Sequence, residues 1–72
     1  MTFDKSTKLR DVLKQYPWLI EDAVKIDKRF KQLNTTPGKI WLKTADIAAL
    51  SKKSGLSVDE IVGKIKEIIA NH

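Results

Sequence analysis

Cysteine is absent from this chain of 72 residues. That excludes disulfides, cysteine-ligated zinc and iron–sulfur clusters, and it fits the reducing cytoplasm. Histidine occurs once, as the last residue, His72, where a frayed chain end is expected rather than a metal ligand. Without cysteine or an internal histidine the familiar nucleophile–base dyads cannot be assembled, so no catalytic residue is assigned and an enzyme is not expected. No apolar run approaches the ~20 residues of a membrane span, and no signal-peptide pattern is present. Glycines number three and prolines two, so breaks are few. None forms a phosphate loop: Thr36-Pro37-Gly38-Lys39 reads as a turn, not a Walker motif. Repeats and low-complexity tracts are missing as well. What remains, 32% charged and 42% hydrophobic, is the composition of a soluble globular domain, here one domain over residues 1–72. A chain this short buries roughly 60% of its unfolded surface, which leaves a marginal core and makes a homodimer a reasonable expectation.

Acid is also scarce in one place. Residues 1–24 carry Lys5, Lys8, Arg10 and Lys14 against Asp4, Asp11, Glu21 and Asp22. Residues 44–72 balance in the same way, with Lys52, Lys53, Lys64 and Lys66 against Asp46, Asp59, Glu60 and Glu67. The stretch 25–43 carries Lys25, Lys28, Arg29, Lys31, Lys39 and Lys43 against Asp27, which is six minus one and hence the full net charge of +5. Such asymmetry steers acidic partners and says little about fold.

The fold follows from spacing. Residues 1–6 read as an N-terminal arm anchored by Phe3. Leu9, Val12, Leu13 and Tyr16 have helical spacing, with Ser6 or Thr7 as cap and Pro17 as stop. Pro17 suits the first position of a second helix. Its stripe is Leu19, Ile20, Ala23, Val24 and Ile26, with Glu21, Asp22 and Lys25 outward. Asp27 can cap a short third helix over 28–33 that turns Phe30 and Leu33 inward. Asn34-Thr35-Thr36-Pro37-Gly38 is the clearest break, a central turn over 34–38. The run Lys39 to Lys43 fits a helical turn or an extended connector equally well. Thr44 can cap a helix over 45–54 with Ile47, Ala48, Leu50 and Ser51 inward. Gly55 has the position of a left-handed helix terminator, and Ser57 with Glu60 has the spacing of a capping box. A last helix over 58–70 gathers Val58, Ile61, Val62, Ile65, Ile68 and Ile69 into an arc of about 120°, with Gly63 opposite. The expected fold is all-α, a compact bundle of four to five short helices.

These segments resemble a known family. Leu9-Arg10-Asp11-Val12-Leu13-Lys14-Gln15-Tyr16-Pro17 looks like the opening of a family of small bacterial helical domains of unknown function. The best-known branch of that family is the hybrid-cluster-protein-associated redox disulfide domain. A related opening occurs at the N-terminus of iron–sulfur-cluster repair proteins. Ile26 to Asn34, with Phe30, Leu33 and Asn34, resembles the cysteine-free branch, and Thr44 to Ile65 resembles the closing pair of helices. The likeness covers roughly residues 7–70. The redox branch keeps cysteines in the loop after the second helix, here Ile26 to Thr35, where this chain has none. The resemblance therefore implies a helical bundle and carries no redox role, cofactor or activity to any residue here.

The remaining chemistry points to binding. Glu21–Asp22 and Asp59–Glu60 are adjacent on helices, about 100° apart, and sit in first turns where acids favour the helix dipole. Ala49 to Ile65 has a helix-turn-helix outline, so a degenerate motif over 45–70 is one nucleic-acid alternative. Its reading positions would be Asp59 and Glu60, which phosphates repel. The basic stretch is the candidate partner-binding surface, with Lys28, Arg29, Lys31, Lys39, Trp41 and Lys43 as its residues. Phe30 is expected in the core, as is Trp18. Of Ile40, Trp41 and Leu42 at least one is expected to face out, and an exposed Trp beside cations reads as a contact residue. The expected function is a small cytoplasmic, non-enzymatic interaction module with a protein partner or a second copy of itself. Nucleic-acid binding through the same cations is the alternative, recognisable by affinity that falls with salt. No small-molecule substrate, cofactor, metal or membrane is implied.

Overall fold

A computed structural model describes residues 2–72. The described residues form five α-helices and one 3₁₀ helix: α1 (Leu9–Gln15), α2 (Leu19–Ile26), the 3₁₀ helix (Lys28–Asn34), α3 (Thr36–Leu42), α4 (Ile47–Ser54) and α5 (Val58–Asn71). The all-α bundle is as expected, with one element more than four to five. The additional helix is α3.

α1 lacks the expected side-chain cap from Ser6 or Thr7. Those residues close a turn on Asp4 instead: Ser6 N donates to Asp4 Oδ1 at 2.8 Å, and Asp4 N to Thr7 Oγ1 at 2.9 Å. The free amides of two helix starts find carbonyls across the fold. Leu9 N donates to Ala45 O at 3.0 Å, while Ile47 N and Ala48 N donate to Thr7 O and Lys5 O at 3.1 and 3.0 Å. Asp46 Oδ1 then accepts from Ala49 N at 2.8 Å. Asp46, not Thr44, is therefore the cap of α4, and the Thr44 hydroxyl donates back to Trp41 O. Lys8 and Asp46 form an isolated antiparallel bridge. First-turn donors that a helix cannot satisfy internally are thus met across the fold, and these bonds tie residues 5–9 to 45–48.

Pro17 ends α1 as expected, and α2 begins two residues later, with Trp18 before it. Leu19 and Ala23 are buried, but Ile26 is 53% exposed. It is the last residue of α2, where the chain turns extended at Asp27 and leaves its side chain beyond the packed stripe. Asp27 caps the 3₁₀ helix as expected, accepting from Arg29 N, and Phe30 and Leu33 are buried.

The expected central turn over 34–38 is not a turn. Thr35 Oγ1 accepts from Gly38 N at 3.2 Å and its hydroxyl donates to Gln32 O at 2.7 Å. That cap starts α3 at Thr36, with Pro37 in the first turn, where its missing N–H costs nothing. Gly38 is a buried helix glycine. A Cβ added there would lie 2.2 Å from Gln32 O and 2.8 Å from Leu33 Cα. The helix backbone rests directly on the 3₁₀ backbone, and this close approach is why glycine stands there.

Gly55 takes the left-handed conformation, φ 78°, and ends α4. Inner-face Ser51 donates to Leu56 O across the turn, and the capping box forms, with Glu60 N donating to Ser57 Oγ at 3.1 Å and Ser57 N to Glu60 Oε1 at 3.4 Å. Ile61, Ile65 and Ile68 of α5 meet Val12 and Ile47 in the core. Val12 and Ile47 are both 0% exposed.

The two helix glycines have opposite surroundings. A Cβ at exposed Gly63 meets nothing within 4 Å, so Gly63→Ala should raise stability by up to ~1 kcal/mol, about 4–8 °C in Tm. Gly38→Ala should lower Tm by about 5 °C or more, because overpacking against backbone costs about 1–3 kcal/mol. Thermal unfolding followed by circular dichroism reads both. Equal shifts for the two variants would contradict the close approach at Gly38.

Candidate interaction surface

At 100° per residue, α3 faces three ways. Gly38 and Leu42 point into the bundle and are buried. Ile40 lies opposite them and is 59% exposed. Lys39 and Lys43 fall on one flank of Ile40, Pro37 and Trp41 on the other. Residues 39–42 are helix rather than an extended connector, with Lys43 as the C-cap, and of the three apolar residues Leu42 is buried, Trp41 half-buried and Ile40 exposed.

The Trp41 flank is a shallow groove shared with Gln32, Thr35 and Lys53. Lys53 Nζ stands 5.1 Å from the Trp41 ring centroid, a cation–π distance. The cation beside Trp41 thus comes from α4, outside the basic stretch. The other flank is a groove of about 340 Å³. Lys39 and Lys43 line one side, and Arg10 and Lys14 of α1 line it too. Leu13, Pro17, Ile20 and Leu42 form its apolar part, and Glu21 is its one carboxylate.

The six candidate residues are therefore not one cluster. Lys39 and Lys43 share a groove, Trp41 borders the opposite one, and Lys28 and Lys31 are exposed on the 3₁₀ helix. Arg29 is engaged within the fold. Its backbone amide and Nε donate to Asp27 Oδ1 at 3.0 and 3.2 Å, and Nη2 lies 3.1 Å from Asp27 Oδ2. Lys64 of α5 reaches the same carboxylate at 3.8 Å. Arg10 and Lys14 are the residues that sequence reasoning missed, because the charge of residues 1–24 cancels as a sum. Their i, i+4 spacing on a helix, which puts two cations on one face, was the available signal.

Two further expectations are corrected. Trp18 is half-buried rather than core, and His72 is not a frayed end. The His72 ring stacks on Trp18 at 3.5 Å between centroids and 3° between planes, and its Nδ1 lies 2.9 Å from Asp22 Oδ2. Tyr16 meets Trp18 edge-on at 5.7 Å. This stack holds α5 against the start of α2 and explains why Asp22, expected outward, is half-buried.

Among the described residues no three His, Asp or Glu side chains gather in a way that could hold a metal ion, and no helix is long and apolar enough to cross a membrane. α4, the Gly55 turn and α5 keep the helix-turn-helix outline, with Asp59 and Glu60 exposed in the first turn of α5. Comparison with protein-family models, with curated proteins and with solved structures finds no match.

Asp27 joins α2, the 3₁₀ helix and α5 through one carboxylate. The Arg29 backbone amide, then its guanidinium, hold that carboxyl below its ordinary value against the opposing effect of burial, and Lys64 adds to them. A lowered pKa means a stabilising contribution that is full above the unfolded value, about 3.9, and is lost as pH falls through the folded value. Asp27→Ala should therefore melt below wild type at pH 7, and the gap should narrow as pH drops below about 4. A gap unchanged down to pH 2 would contradict the ion pair's contribution.

Proposed function

We propose that this chain is a small non-enzymatic interaction module that docks a protein partner through the outward face of α3. One observation carries this: Ile40, 59% exposed, stands at the apex of a helix whose flanks are Lys39 and Lys43 on one side and Trp41 on the other. A large apolar side chain at the centre of a cationic and aromatic rim has the make-up of a contact surface, in which an apolar centre excludes water and the rim supplies orientation. Nucleic acid is the weaker alternative. Stacking of bases needs exposed aromatic faces along the cations. Trp41 is half-buried beneath Lys53, while Lys39 and Lys43 line the opposite flank.

Residue content supports the non-enzymatic part, since the chain has no cysteine and a single histidine, and that histidine stacks on Trp18. The absence of cysteine also favours a cytoplasmic setting. The resemblance to the cysteine-free branch of the redox-disulfide family is kept as a proposal about ancestry, with no activity attached.

A photo-crosslinking amino acid placed at Ile40, and in a second variant at Gly63 on the far face of α5, tests this in the cell that makes the protein. Discrete protein adducts from position 40 and none from position 63 are expected. Adducts removed by nuclease would favour nucleic acid, and equal adducts or none from both positions would overturn the proposal.

A further inference from the structure

Two pairs of like charges line one groove. Arg10 and Lys14 are four apart on α1, and Lys39 and Lys43 are four apart at the end of α3. Like charges at i, i+4 repel one another along a helix, and here two such pairs line one concavity. Glu21 is the single carboxylate there, four cations against one. Arg10 has a partner in Asp11, but at 3.9 Å between exposed side chains the pair contributes little. The apolar part of the groove is equally specific. Leu13, Ile20 and Leu42 line it, and the same three side chains also border a small apolar cavity of about 40 Å³ next to the core.

We infer that the groove between α1, α2 and α3 is the binding site for an acidic protein segment that inserts one aliphatic side chain between flanking carboxylates. This rests on the docking reading above and gives its partner a chemistry. Charge complementarity selects the acid, because carboxylates relieve the repulsion among Arg10, Lys14, Lys39 and Lys43. The apolar lining selects the anchor, because Leu13, Ile20 and Leu42 offer it dispersion contacts and no polar partner. A nucleic-acid strand satisfies the first condition and not the second, since no aromatic ring lines the groove to stack on a base.

The test is a chemical-shift titration of the full chain with a blocked peptide of one leucine between two pairs of glutamates. A matched peptide with alanine for leucine and an oligothymidylate are the other arms. The leucine peptide should shift the methyls of Leu13, Ile20 and Leu42 and bind about tenfold or more tightly than the alanine peptide. Its affinity should fall with added salt. Lys14→Glu and Lys39→Glu should each weaken it severalfold while Tm stays level or rises, because each removes a like-charge contact. Equal affinity for the two peptides, methyl shifts elsewhere, or tighter binding of the oligothymidylate would overturn the inference. Adducts from position 40 alongside no peptide binding would leave the docking face standing and remove this groove as its site.

Discussion

The contact of one backbone with another at Gly38 decides what this molecule presents to its surroundings. α3 has seven residues and cannot hold itself in water, because short helices depend on packing for their stability. It is held by Thr35, which caps it and bonds back to Gln32 O, and by Gly38, which lets it lie on Gln32 and Leu33 without an intervening side chain. Seated that way, α3 turns Leu42 inward and has no freedom about its axis. Ile40 must then face out, with the lysines on one flank and Trp41 on the other. A helix rotated by one position would bury Lys39 or expose Leu42.

The same seat places Lys39 and Lys43 on a groove that Arg10 and Lys14 also line. Stability alone does not favour such an arrangement, and several other charges of the fold are paired. Arg29 and Lys64 share the Asp27 carboxylate, His72 meets Asp22, and Asp59 and Glu60 sit in the first turn of α5, where the dipole favours them. Like charge concentrated in one place, beside apolar side chains, is the local inconsistency on which the docking proposal rests.

Much of the scaffold is legible in the sequence because its signals are local. Pro17, Gly55, the Ser57–Glu60 box and the isoleucine arc of α5 each act within a turn or two of chain. What sequence reasoning misplaced depends on how the elements pack on one another. Ser6 and Thr7 are good capping residues, but the donors of α1 and α4 are met by carbonyls across the fold. Thr35-Thr36-Pro37-Gly38 has the composition of a turn, and it becomes a helix because Gln32 and Leu33 lie beneath Gly38. His72 is a chain end by position, and a stacked ring by virtue of Trp18, 54 positions earlier. The candidate site was half visible for the same reason. Counting charge along the chain finds Lys39 and Lys43, but Arg10 and Lys14 join them only once α1 and α3 line a common groove.

The seat of α3 is open to direct observation. In a nuclear Overhauser spectrum of the labelled protein, this account predicts cross-peaks between the Gly38 α-protons and the Leu33 α-proton, with sequential amide contacts typical of a helix from Thr36 to Leu42. Extended-chain connectivities through residues 36–42, with no contact between Gly38 and Leu33, would contradict it.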